Sequence, residues 1–250
     1  MSVVPVPEGK KIRTIQFKAN KCKSSLLCYS TFHCGFFKKI GRGLIRWWTN
    51  SQFEHIGTVC KMHEGFHGEH WISRYDNTDL VEIEKSVYYS VEATQKDGVV
   101  IMPLLKRFLK PSLLEQNWWG SIYMRKFKSL NTDKHKEVTQ YIKDINASKD
   151  QYQLIAAIAS VFKRWLRVFI SKVFRVKYTP QADCSILAIS LANVNFDLGL
   201  TPNEMLSFTP QKTIDFLFKK GYTEHNELIL EYQNGKIVAY NEDIFNVTFE

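Results

Sequence analysis

An α+β fold is the expectation for this chain, on three observations. Short apolar runs of strand length, joined by turn residues, fill much of the first hundred positions. A nearly uncharged helical run starts near Cys184, between Pro180 and Gly199. A closing hairpin is marked by Asn234-Gly235 between two apolar segments.

In order along the chain, residues 10–24 are basic and weakly patterned, a tail or an edge strand. Leu26-Leu27-Cys28-Tyr29 is a short strand. Residues 32–48 read as a loop entering a glycine-interrupted helix that ends at Trp47-Trp48. A polar turn follows, and then a strand that begins at His55 and ends near Met62. Residues 63–90 look rich in hairpins, with Gly65 and Gly68 as punctuation and alternation in Leu80-Val81-Glu82-Ile83-Glu84. Tyr88–Thr94 and Gly98–Leu104 are two strands around a Lys96-Asp97-Gly98 turn. Leu104–Lys110 is a short helix stopped by Pro111, and 112–150 is irregular, then helical and polar. Residues 154–174 are apolar with only basic charges, which suits either a membrane interface or a core helix prolonged past its buried part. Thr209–Leu217 is a helix with Pro210 at its first position.

At 250 residues, 44% hydrophobic and 24% charged, the chain can bury a substantial core. Its formal charge of +9 is concentrated at one end. Residues 1–50 hold Lys10, Lys11, Arg13, Lys18, Lys21, Lys23, Lys38, Lys39, Arg42 and Arg46 against Glu8 alone. This basic face suits an anionic membrane surface, nucleic acid or an acidic protein, and charge does not choose among them. The basic–aromatic alternation of a single-strand platform is not evident, so no specific nucleic acid is expected. The first residues lack the layout of a signal peptide, and no run reaches the roughly 18 apolar residues of a membrane span. Five cysteines, an odd number without a dense framework, fit reduced thiols in a cytoplasmic setting, peripheral to a membrane if the basic segments engage one.

Three residues suggest chemistry. His55 opens a strand and is followed closely by the small Gly57, so sheet hydrogen bonds would hold it firmly enough for a catalytic base. Cys184 falls in the first turn of its helix, where unpaired backbone N–H groups favour a thiolate and could stabilise an oxyanion. Glu92 sits in the apolar run Tyr89-Ser90-Val91-Glu92-Ala93, where an unpaired carboxylate is costly and something must pair with it. Each has a plainer reading as an ordinary buried residue. Cys60, His63, His67 and His70 are spaced closely enough to suggest zinc, and His63-Glu64-Gly65-Phe66-His67 has the HExxH spacing, but Gly65 and Gly68 break the helix that such a site needs and no second cysteine pair closes the set. A polar histidine-rich loop is the default there, and neither a metal nor another cofactor is expected.

Leu44-Ile45-Arg46-Trp47-Trp48-Thr49 followed by Phe53-Glu54-His55-Ile56-Gly57-Thr58-Val59 resembles the helix-and-histidine segment of the circularly permuted NlpC-type papain-like enzymes, the YiiX-like branch, and more distantly the lecithin:retinol acyltransferase-like proteins. Tyr89–Ala93 with Gly98–Leu104 resembles the acidic strand of that family and the strand after it, and Asp183-Cys184-Ser185-Ile186-Leu187 resembles its nucleophile helix. Ile186 stands where the family often has glutamate. The likeness spans roughly residues 26–217. It implies a papain-like core in which an antiparallel sheet packs against the nucleophile helix, preceded by a basic N-terminal extension (1–24) and carrying a helical insertion around 112–175. It further implies a thiol hydrolase of the cysteine peptidase or amidase kind, with Cys184 as nucleophile, His55 as base, Glu92 as the orienting acid and Tyr29 helping to polarise a carbonyl. The implied substrate is an amide or isopeptide bond in a peptide or peptidoglycan-like molecule. A lipid ester or thioester, hydrolysed or passed on by acyl transfer, is the second choice. An inactive basic binding protein on the same scaffold is the third.

Overall fold

Strands in this chain are built from β-branched, aromatic and small residues whose alternate side chains serve two different cores. In the computed structural model, which describes residues 3–18, 23–33, 52–53, 55–62, 88–94, 98–109, 119–128, 134–147, 173 and 183–250, eight of them form one sheet. These are β1 (Val3–Pro5), β3 (Ser25–His33), β4 (His55–Lys61), β5 (Tyr88–Thr94), β6 (Gly98–Pro103), β7 (Trp119–Lys126), β8 (Glu227–Gln233) and β9 (Lys236–Asn241). Their spatial order is β1-β9-β8-β7-β3-β4-β5-β6, and every pairing is antiparallel. β2 (Ile12–Phe17) and β10 (Phe245–Phe249) make a separate antiparallel pair. The described helices are α1 (Leu104–Leu109), α2 (His135–Ala147), α3 (Cys184–Phe196), α4 (Pro202–Met205) and α5 (Pro210–Lys219). The result is a mixed α+β fold dominated by antiparallel sheet, as expected from the short alternating runs.

The period of two sorts the central strands cleanly. Leu27 and Tyr29 of β3, Val59 of β4 and Ile122 and Met124 of β7 join Leu104 and Phe108 of α1 on one face, with Phe17 and Phe245 of the small sheet behind them. Leu26 and Cys28 of β3 and Ile56 of β4 turn to the opposite face, against Cys184, Ala188 and Ala192 of α3 and Ile214 and Leu217 of α5. Further along that face, Val91 and Ala93 of β5 meet Leu187 and Leu191 of α3 and Val138, Ile142 and Ile145 of α2. Residues 184–192 of α3 are all buried, because sheet covers one side and helices the other. A helix apolar on every side needs such a position.

β4, β5, β6 and α1 lie within about a residue of their expected bounds, α3 begins at Cys184 and α5 runs two residues past Leu217. One expectation is corrected. The region 112–150 was expected to be irregular and helical, within a helical insertion, but it contributes β7, a strand between β3 and β8 in the main sheet, before α2 begins. Gly120, Ser121, Arg125 and Lys126 dilute its apolar alternation; Arg125 is nevertheless buried, with its Nε donating to Asn226 Oδ1 and its guanidinium over the Phe218 ring. Of the two alternatives for residues 10–24, a tail or an edge strand, the strand is found as β2, which pairs with β10, and Val3–Pro5 adds β1, which pairs with β9. Lys10, Lys11 and Arg13 lie exposed around β2, so part of the expected basic face is real, whereas Lys38, Lys39, Arg42 and Arg46 fall outside the described residues. Also outside are the helix expected before Trp48, the hairpins of 63–87 with His63, His67 and His70, and nearly all of the apolar segment 154–174. Among the described residues, no helix is long and apolar enough to cross a membrane.

Phe17 packs edge-on against Phe108 and tilted against Phe245, so the first strands cover apolar surface. Removing residues 1–18 is expected to lower the unfolding free energy in urea by at least about 2 kcal/mol. Unchanged stability would show that this segment is detachable.

Candidate functional site

The register of three neighbouring strands assembles a polar cluster on the face that α1 covers. Tyr29 lies directly opposite His55 in the β3–β4 ladder. Thr58 pairs with Val91 in the β4–β5 ladder, which sets Gly57 beside Glu92. Because side chains alternate, Tyr29, His55, Ser90 and Glu92 all project to the same side of the sheet. The missing side chain at Gly57 is used: a Cβ there would stand 2.6 Å from Glu92 Cγ and 3.0 Å from Cδ. The glutamate therefore lies flat across the strand that carries the histidine.

Glu92 is the carboxylate of this cluster, 1% exposed, and its two oxygens are saturated with donors. Oε2 accepts from His55 Nε2 at 2.9 Å and from Arg107 Nη2 at 3.0 Å. Oε1 accepts from the Tyr29 hydroxyl at 2.7 Å, from Arg107 Nε at 2.7 Å and from the Ser90 hydroxyl. Burial by itself favours the neutral acid, but the Arg107 guanidinium and then His55 hold the carboxyl well below its usual range. A carboxylate with five donors has no lone pair left to take a proton, so it is suited to orienting its neighbours.

His55 is the junction between this cluster and α3. Burial disfavours its charge, yet the neighbouring Cys184 and then Glu92 raise the imidazole from 6.5 to about 10. Cys184 is within hydrogen-bonding reach of the ring. With an ionised Glu92 accepting from Nε2, the tautomer is fixed with its proton on Nε2, which leaves Nδ1 as the basic nitrogen.

Cys184 is the first residue of α3. Asp183 caps the helix in an extended conformation, and its Oδ1 accepts from Ile186 N–H at 2.8 Å. The N–H groups of Cys184 and Ser185 lack acceptors within the helix, as first-turn groups must. Exposure falls along the row, from 17% for the His55 side chain and 9% for Cys184 to 1% for Glu92 and 0% for Tyr29. The His55–Cys184 end is the more open one, and the Glu92–Tyr29 end is sealed. Cys28 and Cys60, by contrast, are free buried thiols that burial pushes up to about 12.

All four residues singled out from the sequence converge here. Tyr29 does so through its hydroxyl, which donates to Glu92. Arg107, Ser90 and the close approach at Gly57 were not anticipated. The signal for Arg107 was available, since Glu92 needed a partner and Leu104-Leu105-Lys106-Arg107-Phe108-Leu109 puts a cation inside an apolar helix. No cluster of histidine, cysteine and carboxylate residues able to hold a metal occurs among the described residues.

Gly57→Ala is expected to displace Glu92 and to destabilise the fold by about 1–3 kcal/mol in thermal or urea unfolding. A neutral result would mean that Glu92 can lie elsewhere without loss. Since folding raises the His55 pKa, protonation of His55 contributes stability that is complete below about 6.5 and disappears as pH rises through about 10. Nitrogen-15 NMR of the imidazole should report a charged ring through neutral pH, and Cys184→Ala should bring the midpoint down. A midpoint near 6.5 in the unaltered protein would contradict this electrostatic arrangement.

A scan against protein-family models finds no match for this chain, and no curated protein matches it significantly, so its chemistry is read from the geometry of these side chains.

Proposed function

We propose that this protein is a thiol hydrolase that cleaves an amide or isopeptide bond through Cys184, His55 and Glu92. The observation that carries the reading is the position of His55, with one ring nitrogen on a buried, ionised glutamate and the thiol at the start of α3 beside it. The order of these residues in the chain, base first, acid second and cysteine last, agrees with the permuted NlpC-type papain-like resemblance.

In this mechanism His55 Nδ1 already holds the proton given up by the Cys184 thiol, and the sulfur attacks the substrate carbonyl. Negative charge on the carbonyl oxygen develops in front of the Cys184 and Ser185 N–H groups at the positive end of α3. The imidazolium then returns its proton to the leaving amine as the C–N bond breaks, which leaves a thioester on Cys184. Water attacks that thioester, His55 accepts the proton of the water, and the thiolate departs. Glu92 keeps its charge throughout and holds the ring.

Iodoacetamide is expected to alkylate Cys184 well ahead of Cys28 and Cys60, and His55→Ala should slow that reaction and any peptidase turnover by about 10²–10⁴-fold. A panel of peptide, isopeptide, ester and thioester substrates should yield an acyl-enzyme trapped on Cys184 by mass spectrometry. Uniform alkylation of the thiols with no trapped intermediate would overturn the proposal. Salt-sensitive liposome binding that survives Cys184→Ala would then favour a binding protein on this scaffold.

A further inference from the structure

Arg107 is a buried arginine, 1% exposed, on the short helix α1. Such a charge needs compensation in the interior, and most of its contacts serve one residue. Its Nε and Nη2 grip the two oxygens of Glu92 side by side, at 2.7 and 3.0 Å, and its guanidinium carbon stands 4.8 Å from the centre of the Tyr29 ring. α1 follows directly from β6 and packs against β5 and β6, so the arginine is anchored to the strand that bears Glu92. A fork of this kind fixes the plane of a carboxylate, which a lysine ammonium cannot do.

We propose that Arg107 is a positioning residue for this site, acting through Glu92: its bidentate grip sets the plane of the carboxylate so that Oε2 is presented to His55 Nε2. The proposal deepens the thiol hydrolase reading and rests on it. The groups that face Glu92 are Tyr29 from β3, His55 from β4, Ser90 from β5 and Arg107 from α1. Cys184 of α3 lies behind His55, and the Tyr232 phenol of β8 is electrostatically coupled to Arg107. Of these, only Arg107 brings a permanent positive charge. Tyr29 and Ser90 contribute neutral hydrogen bonds, and His55 is the group being oriented. Without the arginine, burial would drive Glu92 toward its neutral form, and a protonated glutamic acid no longer stabilises an imidazolium.

The test measures iodoacetamide alkylation of Cys184 from acid to alkaline pH, together with the nitrogen-15 titration of His55, in the unaltered protein and in Arg107→Gln, Arg107→Lys, Glu92→Gln and the Glu92→Gln/Arg107→Gln double variant. Arg107→Gln is expected to slow alkylation near neutral pH by about tenfold, to move its acidic limb upward by about one pH unit and to lower the His55 midpoint. Arg107→Lys should fall between the two. In the Glu92→Gln background, removing Arg107 should change the rate by less than about twofold, because its effect passes through the carboxylate. Should Arg107→Gln fail to fold, Arg107→Lys decides by the same criteria. A folded Arg107 variant with an unaltered pH profile and His55 titration would overturn the proposal, as would a full Arg107 effect in the Glu92→Gln background. If Cys184 of the unaltered protein reacts no faster than Cys28 and Cys60, the hydrolase reading fails instead, and the two failures are told apart by that reference measurement.

Discussion

The buried contact between Glu92 and Arg107 is the constraint on which the site depends. Two opposite charges taken out of water gain little net stability, but removing one partner from such a pair typically costs about 3–5 kcal/mol. Their environment must therefore be fixed on every side. β3 supplies the Tyr29 hydroxyl, β5 supplies Ser90, α1 supplies the guanidinium fork, and β4 supplies the absence of a side chain at Gly57. The imidazole is the last partner and the only one that also reaches the cysteine.

Much of this was legible in the sequence, for identifiable physical reasons. The runs Tyr88–Thr94 and Gly98–Pro103 have strand length and composition, and the Asn234-Gly235 turn fixes a hairpin. Asp183 before Cys184 and Thr209 before Pro210 are cap and first-turn signals that act within a few residues. A carboxylate in an apolar strand announced that it needed a partner. The identity of that partner was less readable, because pairing across fifteen residues depends on how α1 folds back over the sheet. The bond from the Tyr29 hydroxyl to Glu92 was not readable either, since proximity follows from the β3–β4 register but the direction of a hydroxyl depends on what is buried beside it.

β7 was missed for a different reason. A strand inside a sheet can carry polar groups when its neighbours answer them: Arg125 finds Asn226 and the Phe218 ring, while Ser121 reaches Glu231. Local composition then reads as a polar loop, although tertiary pairing makes the segment central. The N-terminal strands were only partly legible. Val3–Pro5 is short, and Ile12–Phe17 buries none of its residues fully, so a tail and an edge strand read alike until the partner strand is seen.

Those terminal strands also bear on how the chain acquires its shape. The Thr14 and Thr248 hydroxyls meet across 234 residues of sequence, so β2 must wait through the synthesis of nearly every other element before its partner leaves the ribosome. Contacts of such long sequence separation make for slow folding. During that interval an unpaired, half-apolar strand is open to wrong partners, and Lys10 and Lys11 just before it, with Arg13 within it, supply the like-charge repulsion that discourages nascent chains from sticking to one another.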